Sequence, residues 1–211
     1  MLARLVYLLC ALSLSLYAWA EEAPRPTPAA PVAADGLTVE ETVFVDPYDI
    51  EIVIFEYPNS DGDEAWPEDP GQPDLTGAVG DLMPGGLPGQ HALRLPEDAK
   101  QLGPVAYTLN RRGLSVRAHE AWRLDVQDRD TPAWYLIGDQ RLYGLIQVSK
   151  GRFLHLNTDL ILKPDDQQLF RIQLHRRMRN GELHYLDHPK AGIIIRTARV
   201  ELERSATAST D

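Results

Sequence analysis

The strongest structural signal in the sequence is the stretch Asp49-Ile-Glu-Ile-Val-Ile-Phe-Glu-Tyr57. Successive side chains of a β-strand point to opposite faces of the sheet, so its three isoleucines share one face. Val53 and Phe55 make the other face apolar as well. A strand that is apolar on both faces is usually covered on both sides by other parts of the protein. The stretch therefore predicts a central strand of a sheet.

A helical pattern follows at residues 95–113. Apolar residues recur at positions 102, 105, 106 and 109, which is the spacing of one helix face, and Gly113 is a typical stop. Pro104 is awkward inside this span. It could be the first residue of the main helix, with residues 96–102 forming a separate turn. Residues 114–124 then predict a strand with Trp122 near its end.

The second half of the chain predicts five further strands in an antiparallel meander. Lys150-Gly151 is a plausible two-residue hairpin between the first two, and Asn180-Gly181 is the strongest short hairpin signal and joins the next two. One helix and six or seven strands predict an α+β fold, with a mainly antiparallel β-sheet and one principal helix packed on one face. The five strands are residues 142–149, 152–162, 169–178, 183–186 and 193–202.

The chain is predicted to contain an export signal and one folded domain. A positive start, an apolar run and Ala18-Trp19-Ala20 are typical of a secretory signal peptide. A long acidic loop is expected where six prolines and seven glycines fall between Pro58 and Gly89. The predicted segments are a signal peptide at 1–20, a disordered Pro/Ala-rich tether at 21–36, a single α+β domain at 37–204 with its loop at 58–90, and a disordered tail at 205–211.

Charge and cysteine content exclude several classes of function. The 21 basic and 31 acidic residues give a net charge of −10, which argues against a nucleic-acid partner. The acidity is concentrated in residues 21–100, with 18 acidic and 3 basic residues. The one cysteine, Cys10, lies in the predicted signal peptide, so the mature chain has no disulfide and no thiolate metal site. Export without disulfides fits a bacterial envelope compartment, and the predicted location is the periplasm.

Two predicted neighbouring strands carry the side chains most suited to a ligand. In residues 152–162 and 169–178, apolar and polar residues alternate, so the polar ones share a face if the strands pair. Arginine forks match the geometry of carboxylates. The alternative is an ordinary solvated face of an antiparallel sheet. This polar face consists of Phe153, His155, Asn157, Arg171, Gln173, His175 and Arg177.

Metal binding and catalysis have weaker support. His184, Asp187 and His188 are close in sequence, but they need a further ligand, and Pro189 favours a structural turn instead. Residues 59–64 have calcium-like spacing without the glycine and distant glutamate of an EF-hand loop. The nucleophile-elbow, P-loop, zinc-protease and dinucleotide motifs are all missing. The sequence thus favours a binding or scaffold protein, with no cofactor and no metal, over an enzyme.

Several blocks of the sequence resemble the CsiV family of envelope proteins. The resemblance runs over residues 48–201, and its most specific part is a run of arginines followed by Leu-His-Tyr-Leu-Asp-His-Pro. The blocks are Asp49-Ile-Glu-Ile-Val-Ile-Phe-Glu-Tyr57, Glu64-Ala-Trp66-Pro67, His119-Glu-Ala-Trp122-Arg123, Arg152-Phe-Leu-His155-Leu-Asn-Thr-Asp-Leu160 and His175-Arg-Arg-Met-Arg-Asn-Gly-Glu-Leu-His184-Tyr-Leu-Asp-His-Pro189-Lys-Ala-Gly192.

The resemblance implies a non-enzymatic periplasmic protein that binds peptidoglycan and helps to regulate cell-wall synthesis and cell shape. The implied partners are peptidoglycan and an outer-membrane lipoprotein activator of a penicillin-binding protein. No nucleic acid and no transmembrane segment after signal cleavage are expected. The alternative is a protein–protein adaptor for such a partner, without direct wall binding. The resemblance supplies no catalytic residues.

For wall binding, the polar face offers a role for each of its groups. The arginines would pair with carboxylates of the stem peptide, and the imidazole and amide groups would bond amides or sugar hydroxyls. Phe153 or Trp122 would stack on a sugar ring. The residues expected to bind are Phe153, His155, Asn157, Arg171, Gln173 and Arg177.

Overall fold

The computed structural model describes residues 44–58, 67–164 and 168–202. The prediction of an α+β chain with mainly antiparallel strands is confirmed. The elements of the described residues are β1 (Pro47–Glu56), β2 (Ala78–Asp81), β3 (Ala92–Arg94), α1 (Gly103–Arg111), β4 (Ser115–Asp125), β5 (Gln127–Asp128), β6 (Trp134–Gly138), β7 (Leu142–Lys150), β8 (Leu154–Leu162), β9 (Phe170–Met178), β10 (Leu183–His188) and β11 (Ala191–Arg199).

The first sheet has the strand order β10-β11-β1-β4-β3, and all its pairs are antiparallel. The central position predicted for β1 is confirmed, because β1 pairs with β4 from Pro47 to Glu56 and with β11 from Tyr48 to Glu56. Ile52, for example, lies opposite Ile195 on one side and Glu120 on the other. This sheet therefore joins segments that are far apart in the chain.

The second sheet has the order β2-β6-β7-β8-β9, with β5 pairing alongside β7. Strands β6 to β9 form an antiparallel meander, as predicted for β7 to β9. The two-residue hairpin predicted at Lys150-Gly151 is wrong, because Lys150 pairs with Leu154 across a three-residue connection. The Gly151 N–H donates to the Phe153 carbonyl at 3.0 Å, which closes this wider turn and leaves Phe153 outside the strand.

The hairpin predicted at Asn180-Gly181 is also wrong, because β9 and β10 belong to different sheets. The turn itself is present: Gly181 has φ 79° and its N–H donates to the Thr197 carbonyl at 2.9 Å. The Asn180 side chain accepts a bond from the Arg199 N–H at 2.8 Å. An Asn-Gly pair favours a tight reversal, but it does not determine which strand the returning chain pairs with. Here that strand is β11.

The main core lies between the two sheets. A single cluster of buried residues contains Ile50, Ile52 and Ile54 from β1 together with Leu156 and Leu160 from β8. Both sheets thus contribute one apolar face, which is the arrangement of a β-sandwich. The opposite face of β8 and β9 is left for polar residues, and the two strands position the polar face.

The predicted helix at residues 95–113 is two elements. A short 3-10 helix at Glu97–Ala99 precedes α1, and Pro104 lies in the first turn of α1, in agreement with the alternative considered for that proline. The N–H groups of Gln101 and Leu102 donate to the buried Glu51 carboxylate at 2.8 and 2.7 Å. Leu102 and Ala106 form a second buried cluster with Val53. Gly113, at φ 82°, follows the helix as predicted.

The predicted segments at 1–20, 21–36 and 205–211 lie outside the described residues. Of the predicted loop at 58–90, residues 59–66 are not described, and the remainder contains β2, which pairs in parallel with β6. The Tyr143 hydroxyl donates to the Gln72 side chain at 2.7 Å. The described part of this segment therefore reaches the outer side of the second sheet.

Candidate functional site

Strands β8 and β9 pair in the register that the polar face requires. His155 lies opposite Arg177, Asn157 opposite His175, and Asp159 opposite Gln173. The residues between them, including Leu156 and Ile172, are buried in the core. Strict alternation along two paired strands is therefore what brings the polar side chains together on the outer face.

Two histidines form the centre of this face. The Nδ1 atom of His155 and the Nε2 atom of His175 are 3.1 Å apart, and the rings stack with centroids 5.3 Å apart. Burial lowers the pKa of His155, and the nearby charges of Arg129, His175 and Arg177 lower it further. His155 is thus neutral at pH 7, so the pair offers one shared hydrogen bond and further donor or acceptor atoms to a ligand.

Phe153 connects the polar face to the β7–β8 turn. The guanidinium carbon of Arg177 lies 4.7 Å from the ring centroid, and that of Arg152 lies 5.6 Å from it. We call these three side chains the Phe153 clamp. Among residues 44–58, 67–164 and 168–202, no carboxylate lies within ion-pair distance of Arg152 or Arg177. The clamp therefore presents two oriented cations whose charge no acid in the described part of the chain neutralises through an ion pair.

The two amide side chains of the polar face, Asn157 and Gln173, differ in how firmly their orientation is fixed. The Asn157 Nδ2 group donates to Gln147 Oε1 at 2.6 Å, and Gln147 is itself buried in β7, so Asn157 is held in one orientation. Gln173 is exposed and also hydrogen-bonds Asp159. Each still has polar atoms available for a ligand.

Arg171 forms an ion pair with Asp159 at the end of the polar face that is far from the clamp. Its Nε and Nη2 groups donate to the two oxygens of Asp159 at 2.7 and 2.8 Å. This bond is the main reason why the pKa of Asp159 lies below its usual value. A Cβ atom at Gly71 would lie 3.1 Å from Arg171 Nη1, so the segment before β2 covers this guanidinium. Six residues of strand separate Arg171 from Arg177, or about 20 Å.

Trp122 does not belong to the site. Its side chain is fully buried between the sheets, and its Nε1–H donates to the Leu82 carbonyl at 2.7 Å. The expectation that Trp122 could stack on a sugar ring is therefore wrong. The apolar pattern of β4 places it on the core face, opposite Ile50 of β1.

A pocket of about 300 Å³ opens beside the clamp, at the end of the sandwich. We call it the end pocket. Strands β1, β7, β8, β9 and β11 contribute to it, together with the turn between β7 and β8 and the turn that follows β9. Its lining combines three buried apolar side chains with four cations and one carboxylate. These residues are Tyr48, Leu154 and Met178, then Lys150, Arg152, Arg179 and Arg199, and Asp46, with Gly151, Phe153 and Asn180 completing the wall.

Sequence reasoning did not find the end pocket. Its cations are scattered from position 150 to 199, and each lies at the end of a strand or in a turn, where no periodic pattern marks it. The surplus of basic residues after position 100 was the one available signal. Only the pairing of β1 with β11, and the crossing of the chain between sheets after β9, bring these residues together.

The histidine-rich segment at 184–188 forms most of β10, and its histidines hydrogen-bond nearby backbone N–H groups. His184 lies in β10, in agreement with the strand predicted at 183–186, and His188 is the last residue of the same strand, where the sequence favoured a turn. The His184 Nε2 atom accepts the Arg179 N–H at 3.1 Å, and His188 Nδ1 accepts the Lys190 N–H at 3.2 Å. Asp187 points to the other face of the strand and accepts a bond from Tyr185 at 2.6 Å. Within the described ranges, no three His, Cys, Asp or Glu side chains are grouped as metal ligands, and the calcium-like residues 59–64 lie outside those ranges.

In a comparison with protein families, residues 29–200 match the model described as "Peptidoglycan-binding protein, CsiV". The chain belongs to the CsiV family. The match covers most of the chain and confirms the resemblance seen in its sequence blocks. Comparison with curated proteins and with solved structures gave no match.

The range matched by the CsiV model contains every residue of the polar face and of the end pocket. The family description supports a binding role, with peptidoglycan as the partner, and an envelope location. In the described part of the chain, no helix has the length and apolar character needed to cross a membrane.

Proposed function

We propose that this protein is a non-enzymatic periplasmic protein that binds peptidoglycan through its polar face, with the Phe153 clamp as the principal contact. The observation that carries the proposal is the pair of guanidinium groups held over one ring without a carboxylate partner among the described residues. Membership of a family described as peptidoglycan-binding supports the choice of ligand.

The chemistry of the clamp suits a peptidoglycan stem peptide. Stem peptides carry carboxylates, and an arginine fork binds a carboxylate with two parallel hydrogen bonds. The Phe153 ring restricts both guanidinium groups before the ligand arrives, so less conformational entropy is lost on binding. We assign Phe153 this orienting role in addition to contact with a sugar ring.

The remaining residues of the polar face extend the contact. His155 lies next to the clamp, and Asn157 and Gln173 lie farther along the face; all three provide hydrogen-bonding groups for amides and sugar hydroxyls. Arg171, which the sequence also favoured as a ligand, is bound to Asp159 on a distant part of the face. Its role in this proposal is to hold that end of the face together.

The biological role proposed is help in regulating cell-wall synthesis and cell shape, with an outer-membrane lipoprotein activator of a penicillin-binding protein as a partner. This part rests on the family resemblance. Glycan strands repeat the same ligand many times, so weak individual contacts can hold a protein on the wall through effective concentration. A protein retained in this way would be positioned to meet a wall-synthesis partner.

The test is co-sedimentation of residues 21–211 with purified sacculi over a series of salt concentrations. Wild type is compared with the double variant Phe153→Ala/Arg177→Ala. The control is Arg111→Ala/Arg112→Ala, which removes two cations at the end of α1, an element that contributes nothing to the site. We expect wild type and control to bind and to weaken as salt rises, because salt screens exposed charges.

The double variant should bind far more weakly at every salt concentration while keeping the circular dichroism spectrum of wild type. Unchanged binding by this variant would refute the polar face as the site. Failure of wild type to sediment at low salt would refute direct wall binding and would favour the adaptor alternative. An envelope pull-down would then identify the protein partner.

A further inference from the structure

The end pocket combines an apolar floor with a cationic rim. Tyr48, Leu154 and Met178 are buried and form its floor, where β1, β8 and β9 meet the end of the core. The rim carries four cations and a single carboxylate. This combination fits a small ligand that bears an anionic group on an apolar one, because each part then meets a matching surface.

Two of the four cations are engaged within the protein. Asp46 accepts a bond from Lys150 Nζ at 2.6 Å and pairs with Arg199 Nη2 at 3.0 Å. Burial acts to raise the pKa of Asp46, but these two partners outweigh it and lower the pKa. Asp46 is therefore ionised and fixes one side of the rim. It also shows that the rim accommodates a carboxylate.

The other two cations remain available for a ligand. Arg152 has no carboxylate within ion-pair distance among the described residues. Arg179 has Glu182 at 3.6 Å, and both side chains are largely exposed, so that pair is weak. Asn180 accepts the Arg199 N–H through Oδ1, which leaves its Nδ2 group to donate. Two arginines and an amide with a donor group available thus line the pocket.

We propose that the end pocket binds the free terminal carboxylate of a peptidoglycan stem peptide, with the small side chain of the terminal residue on the apolar floor. This inference rests on the proposed function and specifies which part of the wall is recognised. A carboxylate that has been converted to an amide by cross-linking has lost the charge that the rim binds. The protein would therefore favour wall regions whose stems end in a free acid.

The apolar floor distinguishes this ligand from a bare inorganic anion. Phosphate would meet the same arginines, but it has no apolar part to place against Leu154 and Met178. The volume of about 300 Å³ is at the lower end of the range for small-molecule sites and suits a terminal residue with its peptide bond. The clamp shares Arg152 with the pocket, so one ligand can extend from the polar face into it.

The experiment is calorimetric titration of residues 21–211 with a synthetic stem tetrapeptide ending in D-alanine, as the free acid and as the C-terminal amide. We expect the acid to bind at least about tenfold more tightly than the amide, since the amide cannot form the charged bidentate bond. Arg152→Ala/Arg179→Ala should abolish this preference, and Arg111→Ala/Arg112→Ala should retain it. Arg152→Lys/Arg179→Lys keeps the charge without the fork and should recover it in part.

Equal affinity for acid and amide would overturn the inference, as would a preference that survives in Arg152→Ala/Arg179→Ala. Inorganic phosphate that binds as tightly as the peptide acid would show a general anion site and would also overturn it. Sacculus binding by wild type separates the two proposals. If sacculi are bound and the peptide acid is not preferred, the end-pocket inference fails while the proposed function stands.

Discussion

Replacing Phe153 with leucine tests the clamp most directly, because leucine retains apolar volume and loses only the aromatic ring. At the 4.7 and 5.6 Å observed, each cation–π contact contributes about 0.5–1 kcal/mol at an exposed site. Without the ring, Arg152 and Arg177 become mobile in the free protein. Ordering a long side chain on binding costs about 0.5–1.5 kcal/mol. For the two arginines together, Phe153→Leu should therefore weaken sacculus binding by about 1–3 kcal/mol, or roughly 5- to 150-fold in affinity.

The assay is a sacculus-binding isotherm for wild type, Phe153→Leu, Arg177→Ala and the combined variant. If Phe153 acts by orienting Arg177, the arginine substitution should cost much less affinity when leucine occupies position 153. Coupling of this kind is what a double-mutant cycle measures. Additive losses would refute the orienting role and leave only independent contacts. Wild-type affinity in Phe153→Leu would refute the clamp altogether, provided that its thermal unfolding shows the variant to be folded.

Three further predictions concern stability measured by urea unfolding. The fold lowers the pKa of His155 from 6.5, so the free energy of unfolding of wild type should fall as the pH drops below about 6.5. Between pH 7 and 5, His155→Gln should lose less of its free energy of unfolding than wild type does. Parallel curves of unfolding free energy against pH for the two proteins would contradict this. Arg171→Ala should lower the free energy of unfolding by about 1–2 kcal/mol at pH 7, since Asp159 loses its partner. That deficit should shrink below pH 3.8, where the unfolded carboxyl takes up a proton and the lowered pKa of Asp159 no longer favours the fold; a constant deficit would indicate lost packing instead. Glu51→Ala should lower the free energy of unfolding by about 3 kcal/mol and Tm by about 6–12 °C, because two backbone N–H groups lose their acceptor. A loss below about 1 kcal/mol would mean that water replaces the carboxylate as acceptor.

The polar face was predictable because its geometry is local. Alternation along β8 and β9 depends only on the two-residue period of a strand, and their short connection makes pairing the natural outcome. The central position of β1 followed for the same reason, since its apolar residues occupy both faces. The ion pair between Arg171 and Asp159 was not predictable in the same way. Strand alternation places both residues on one side of the sheet, but their bidentate bond depends on rotamers and on the segment near Gly71.

The division into two sheets was not predictable, because it depends on contacts between distant residues. Tyr48 of β1 pairs with Arg199 of β11, and nothing in either strand specifies the other. Asn180-Gly181 has the chemistry of a tight turn, yet that turn carries the chain from one sheet to the other. The end pocket exists only where these long-range connections meet. Its cations are therefore invisible as a group until the topology is known.

The length of one turn links the two candidate sites. With the two-residue connection that the sequence favoured, Phe153 would lie within β8 and its ring would be one more side chain of the outer face. The observed three-residue turn places Phe153 before the strand, where its ring meets Arg177 of the polar face and Arg152 of the end pocket. Because the turn is one residue longer, Phe153 contacts both the polar face and the end pocket. A ligand bound along both, as we propose, would contact Phe153 at the point where they join, and its binding would then depend on this turn as well as on the charges around it.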